Sequence, residues 1–273
     1  YWFKHMGDLD YHPNHWPNPL KMDQFLEKNG IKLITISEPF YTVDSKNYNS
    51  FKNHGLFALN KLGTPLTWKD WWCFKSEKGS IINPIAPGSA KIIGSLYLNM
   101  MDKGIDAFWT DLGEPERTPE QARFNQYSKH EFHNYFNREW SRLIHQSISE
   151  KYPDRRLFIL SRSGWTGSAG YGVSVWSGDV RSDFYALDIQ STLGINAGLT
   201  GFSYWGSDVG GFESGGKIPA RELFIRWMQF GTFSPVFRAH GAMSSREPWI
   251  HGEETTRIIK KYIQLRYRLM PYI

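Results

Sequence analysis

One order of segments recurs along this chain of 273 residues and limits its fold more than any composition figure does: a helical pattern, a short apolar run, then a polar cluster. A helical pattern over residues 20–29 precedes "GIKLITISEPF", where Ile31, Leu33, Ile34 and Ile36 predict a strand buried on both faces. In "GSAKIIGSLYLNMMDK", Ile92, Ile93, Leu96, Tyr97 and Met100 recur at helical spacing, and the segment leads into "GIDAFWTD". A long helix over about 131–151 ends at "YPDRR" and is followed by "LFILSRSG". "VSVWSGD" is a brief further strand. Helices near 183–195 and 220–229 lead into "GLTGFSYWGSD" and "GTFSPVFRAHG", and a last helix covers about 254–270.

Strands that alternate with helices are parallel and joined by right-handed crossovers. Two architectures fit, an open doubly wound sheet and a closed (β/α)8 barrel, and both place chemistry at the carboxyl ends of the strands. The polar groups Glu38, Asp111, Arg162, Asp179, Asp208, Arg238 and His240 stand at such ends. An open sheet gathers its site at one switch point, whereas candidates here follow several strands, which favours the barrel. No glycine-rich phosphate fingerprint follows a first strand. Two stretches break the rhythm. "SGWTGSAGYG" is too short and glycine-rich for a crossover helix. Residues 40–87, with "WKDWWCF", form a long insertion, read as a hairpin or lid over the site or else as a solvent-facing decoration.

Composition narrows the function. The chain has 12 Trp, 14 Tyr and 18 Phe, enough to furnish both a core and the aromatic walls that sugars favour. The net charge of +5 is spread without a basic run, which argues against a nucleic-acid surface. No apolar stretch approaches the ~18 residues of a membrane span. Cys73 is the only cysteine, so no intrachain disulfide forms, and it reads as structural. The chain begins at Tyr1 and stops inside a helical pattern, as a fragment of a longer protein would; localisation and oligomeric state are not legible in it.

Two strands end in an aspartate closely preceded by a tryptophan: "FWTD" at Asp111 and "VWSGD" at Asp179. Paired carboxylates are what glycoside cleavage uses, one attacking the anomeric carbon and the other protonating the leaving oxygen. The competing reading is that each aspartate caps a following helix. "HEFH" sets His130 and His133 three apart as a metal pair or, more simply, a solvated helix face. "DLGEPE" lacks the alternate spacing of an oxygen-rich cation loop. In "GSDVGGF", Gly206, Gly210 and Gly211 read as a tight turn that lets Asp208 reach inward, rather than as an anion loop. No metal or organic cofactor is implied.

Taken together these motifs resemble the retaining α-glucosidases of glycoside hydrolase family 31, over nearly the whole chain. "FWTDLGEP" resembles the nucleophile motif, with Asp111 as the attacking group. "SRSGWTGSAGYG" and "VWSGD" resemble the segment that holds a substrate-binding arginine and then the general acid/base, which map to Arg162 and Asp179. "YWGSDVGGF" matches the glycone-lining motif at Asp208 and Phe212, and "FSPVFRAHG" matches the one ending in a hydroxyl-binding histidine, His240. Trp109 and Trp176 match aromatic walls of the subsite that holds the cleaved sugar. The resemblance implies a single catalytic (β/α)8 TIM-barrel fragment over 1–273, with the first strand and part of the second missing and the lid-like insertion after the barrel's third strand. It implies exo-action on an α-glucan or α-gluco-oligosaccharide through a glycosyl-aspartate. "DLGEPE" departs from a common family variant and resembles a branch that includes α-glucosyltransferases. An α-xylosidase, and an inactive carbohydrate-binding barrel, stay open beside these. The family's sugar-binding aspartate on the second strand would precede "YWF"; Asp10 reads as a structural residue of the following loop, not its substitute.

Overall fold

The computed structural model describes residues 2–69 and 78–273. Most of "WKDWWCF", with Cys73 and the structural role expected of it, lies outside the described residues. Two units, Tyr1–Val173 and Ser174–Ile273, are each built around parallel strands.

In the first unit the elements run α1 (Pro19–Lys28), β1 (Ile34–Ser37), β2 (Phe40–Thr42), α2 (Tyr48–Asn53), β3 (Trp68–Lys69), β4 (Lys78–Ile81), α3 (Ser89–Asp102), β5 (Ala107–Thr110), β6 (Arg123–Phe124), β7 (Tyr127–Ser128), α4 (Lys129–Lys151) and β8 (Ile159–Ser161). Strand β5 pairs in parallel with β1 and β8, with Trp109 opposite Ile36 on one side and Leu160 on the other. Helices α3 and α4 cover the sheet through Ile93, Tyr97, Trp140, Leu143 and Ile144, all buried. They cross closely, since a Cβ on Gly94 would meet Ser147 Oγ at 1.9 Å. The buried Trp140 Nε1–H donates to Tyr97 Oη (3.1 Å), which lies 3.1 Å from Ser37 Oγ, so both helices are tied to the end of β1. Ser128 and Glu131 form a capping box at the start of α4.

The strand expected over residues 31–36 starts later and is buried less evenly. Ile31 and Ile34 are 50% and 42% exposed, while Thr35 and Ser37 are buried. At its start β1 is held by Asp106, just before β5: Oδ2 accepts the Leu33 N–H (3.0 Å), and the Asp106 N–H donates to the Leu33 carbonyl (2.9 Å). Further along, the Ile36 carbonyl accepts from Trp2 Nε1 (2.8 Å), so a side chain satisfies this backbone group. Within the 40–87 insertion, β2, β4 and β3 form an antiparallel sheet in that order, backed by the buried Phe40, Tyr41, Phe51 and Phe57. The glycine-rich stretch after β8 holds only a 3-10 turn, Ser168–Tyr171, in line with its length.

The second unit contains all but the first residue of β9 (Val173–Trp176), then α5 (Phe184–Leu199), β10 (Trp205–Val209), α6 (Arg221–Gly231), β11 (Val236–Ala239) and α7 (Gly252–Leu269). Strand β10 pairs in parallel with β9 and β11. Val209, Leu223, Phe224, Trp227, Met228 and Ile259 form its core. Gly206 does not belong to the turn expected of it. It sits inside β10, where a Cβ would lie 2.3 Å from the Val236 carbonyl oxygen, so the close approach of β10 and β11 requires glycine. The turn itself is made by Gly210 (φ +94°) and Gly211 (φ +77°), a conformation other residues rarely adopt. Among the described residues no helix is long and apolar enough to cross a membrane.

The cap of α5 is Asp183, whose Oδ1 accepts the Ala186 N–H at 2.8 Å. The helix-capping role in "VWSGDVRSD" thus falls to Asp183 and not to Asp179. Asp183→Ala should lower unfolding free energy by about 1 kcal/mol, read from urea denaturation. No shift in the urea midpoint would remove the capping argument.

Candidate active site

Strand alternation sets the side chains at the end of β5 in the first unit. Beyond β5, the Asp111 N–H continues the ladder to the Ser37 carbonyl (3.0 Å). Trp109 and Asp111 are partly exposed, whereas Phe108 and Thr110 between and before them are buried. Below the strand ends, Thr110 Oγ1 and Asn137 Nδ2 both donate to Ser161 Oγ, at 2.9 and 2.7 Å, fixing β5, β8 and α4 at one level.

Arg162 follows β8, and its guanidinium gathers the carboxylates of "DLGEPE". Nε and Nη2 form a fork on Glu114, at 2.8 and 3.0 Å. Nη2 also donates to Glu116 Oε2 (2.8 Å), and Nε lies 3.6 Å from Asp111 Oδ1. A fork of this kind fixes the plane as well as the position of the guanidinium. Burial works to lower the arginine's pKa, but Glu114, Asp111 and Glu116 outweigh it, and the net shift is upward. Arg162 is therefore a permanent cation beside Asp111. The sequence marks Arg162 for substrate binding and gives Glu114 and Glu116 no catalytic role, only support of the loop or a reach toward the acceptor side; in the structure those two glutamates hold the Arg162 guanidinium.

In the second unit, Trp176 ends β9 and is buried, while Asp179 stands on the loop beyond it and is exposed. Asp208 lies opposite Arg238 in the β10–β11 register and is fully buried. Arg238 Nη2 donates to Asp208 Oδ1, and the guanidinium carbon sits 4.8 Å from the centre of the Trp176 ring. Arg238 thus organises two predicted binding residues at once. Phe212 and His240 stack with ring centres 5.4 Å apart. Burial, then the charges of Arg238 and Arg246, pulls the His240 pKa down to about 4. The ring is neutral at pH 5–7, able both to donate and to accept a hydrogen bond.

The remaining candidates have local partners. Asp10 pairs with Lys46 and Lys103 (2.5 and 2.6 Å), a structural cross-tie. His130 Nε2 lies 2.6 Å from Glu120, and His133 Nδ1 lies 3.1 Å from Asn134 Oδ1, both on exposed surface.

The family model described as "Glycosyl hydrolases family 31 TIM-barrel domain" matches residues 1–273. An alpha-xylosidase of Saccharolobus solfataricus is 29% identical over 100% of this chain and 36% of its own length. Human neutral alpha-glucosidase C is 32% identical over 95% of this chain and 29% of its own length. The chain therefore spans about a third of the length of these relatives. Among solved structures, a GH31 dextranase of Flavobacterium johnsoniae complexed with glucose superposes with a TM-score of 0.91 at 25% identity, covering 99% of this chain and 35% of that one. A GH31 alpha-xylosidase from a soil metagenome, complexed with xylose, gives 0.90 at 30% identity, covering 100% and 43%. The expected partial (β/α)8 barrel is the fold of this chain.

Proposed function

Because the chain belongs to glycoside hydrolase family 31, as part of that family's TIM-barrel domain, we propose that the intact protein is a retaining, exo-acting α-glucosidase with Asp111 as nucleophile and Asp179 as general acid/base. The observation that carries this is the end of β5. There a partly exposed aspartate follows a tryptophan and lies 3.6 Å from a guanidinium held in place by two further carboxylates. A cation at that distance favours the ionised carboxylate, the form that attacks. Asp111 attacks the anomeric carbon as the bond to the leaving oxygen breaks, and Asp179 supplies that oxygen's proton. The product is a β-linked glycosyl ester. Asp179 then takes a proton from water, the water oxygen attacks the same carbon, and Asp111 leaves. Two inversions return the α-configuration. Trp109, Arg162, Trp176, Asp208, Phe212 and His240 bind the sugar.

A second reading, α-xylosidase, is favoured by the names of relatives that span this whole chain. Aryl α-glucoside and aryl α-xyloside, compared by kcat/KM, separate the two. Mechanism is read independently by proton NMR during the first turnovers. The α-anomer of the free sugar should appear first and then mutarotate; first appearance of the β-anomer would exclude the double displacement.

A further inference from the structure

We propose that Arg246 is a positioning residue for sugar binding: it clamps the turn that links Asp208, near the end of β10, to Phe212 onto the turn after β11, which carries His240. The assignment rests on the reading above for what those three residues bind, and adds what holds them.

Arg246 is 4% exposed, yet its hydrogen bonds run to main-chain carbonyls and one hydroxyl. Nε and Nη2 both donate to the Gly211 carbonyl, at 3.1 and 2.8 Å. Nη1 reaches the Ser244 and Ser245 carbonyls, at 3.2 and 3.0 Å, and Ser244 Oγ. Gly211 is the residue whose N–H closes the turn onto the Asp208 carbonyl (2.9 Å), so the clamp grips the turn at the catalytic end of β10. The other jaw is Gly241, next to His240. A Cβ there would lie 2.5 Å from Arg246 Cζ and 2.6 Å from Nε, so the guanidinium lies flat against that backbone. The aliphatic stem passes Gly210, where a Cβ would be 3.0 Å from Cδ. Between the jaws, the Ala242 N–H donates to the Phe212 carbonyl (3.0 Å), and Phe212 stacks on His240. A cavity of about 330 Å³ opens beside His240, with Arg246 in its wall.

Only a planar fork performs this task. Two nitrogens converge on one carbonyl while the third spans the 244–245 turn; a lysine ammonium has neither the reach nor the geometry. The glycines at 241 and 210 make sense on the same ground, as the surfaces on which the guanidinium and its stem rest.

The test uses the intact protein and the variants Arg246→Lys, Arg246→Ala and Gly241→Ala, with glucose and xylose as competitive probes. The inhibition constant of whichever sugar binds the wild type should rise about tenfold in all three, the scale of one lost hydrogen bond. kcat/KM should fall by about 10²-fold, as displacement of binding groups by about 1 Å does. Guanidinium ion should restore tighter sugar binding to Arg246→Ala, and ammonium at equal concentration should not. A folded Arg246→Lys with wild-type inhibition constant overturns the clamp, as does loss of kcat alone. If Arg246→Ala fails to fold, Gly241→Ala decides: sugar binding there at the wild-type level overturns the proposal. Asp111→Ala, run in parallel, separates the two levels of inference. Full activity in that variant would mean that the site reading has failed, whereas a dead Asp111→Ala beside normally binding Arg246 variants would sink only the clamp.

Discussion

Asp111→Ala loses about 10³–10⁴-fold in kcat and regains turnover of an aryl α-glucoside when azide is added. Each factor of ten is 1.36 kcal/mol, so the loss corresponds to about 4–5.5 kcal/mol of barrier. Alanine leaves space on the face from which the carboxylate attacked, and azide enters there. The product is therefore the β-glycosyl azide, inverted relative to the substrate. Stability moves differently from activity. Asp111 shares the Arg162 guanidinium with Glu114 and Glu116, and the latter two make the short contacts, at 2.8–3.0 Å. Removing the third carboxylate relieves like-charge repulsion and leaves the Glu114 fork intact. Melting temperature should stay level or rise, so loss of fold cannot account for the dead enzyme. Wild-type turnover in Asp111→Ala, or an α-configured azide product, would defeat the assignment.

What was legible in the sequence followed from local pattern. The helix expected over 131–151 is Lys129–Lys151, and the one over 220–229 is Arg221–Gly231, because apolar spacing and caps act within a few residues. Asp111, Arg162, Asp208 and His240, which the alternation of helical and apolar segments places at strand ends, lie at or just beyond the carboxyl ends of parallel strands; Trp109 and Trp176, drawn from the family resemblance, lie on β5 and β9. What was not legible depends on register. Asp208 and Arg238 are thirty residues apart, and only the pairing of β10 with β11 makes them partners. Gly206 looked like a turn residue for the same reason: the Val236 carbonyl that forbids a side chain there belongs to the next strand. Arg162 and the two glutamates also meet only through the β5–β8 pairing, although three carboxylates within six residues were a sign that some cation had to answer them. Arg246 left no pattern at all, since it binds carbonyls, which every residue has.

Asp179→Ala should separate substrates by their leaving groups. A natural α-linked disaccharide leaves as an alkoxide unless it is protonated, and general acid catalysis is worth about 10²–10⁴-fold, so turnover of maltose should fall by that factor. α-Glucosyl fluoride needs little help from an acid in the first step, so formation of the glycosyl ester should stay near the wild-type rate. The second step still lacks its base. The ester therefore accumulates, giving a burst of fluoride, a lowered steady-state kcat and a KM lowered in step. Azide needs no deprotonation and should restore turnover, here giving the α-glycosyl azide, because it now attacks the ester from the face opposite Asp111. The two azide products, β from Asp111→Ala and α from Asp179→Ala, assign the two carboxylates without reference to any distance. Asp183→Ala is the control. Asp183 lies four residues on and caps α5, so its loss should cost stability and leave the ratio of fluoride to maltose turnover unchanged. Equal losses on maltose and fluoride in Asp179→Ala, with no burst, would mean that Asp179 is not the proton donor.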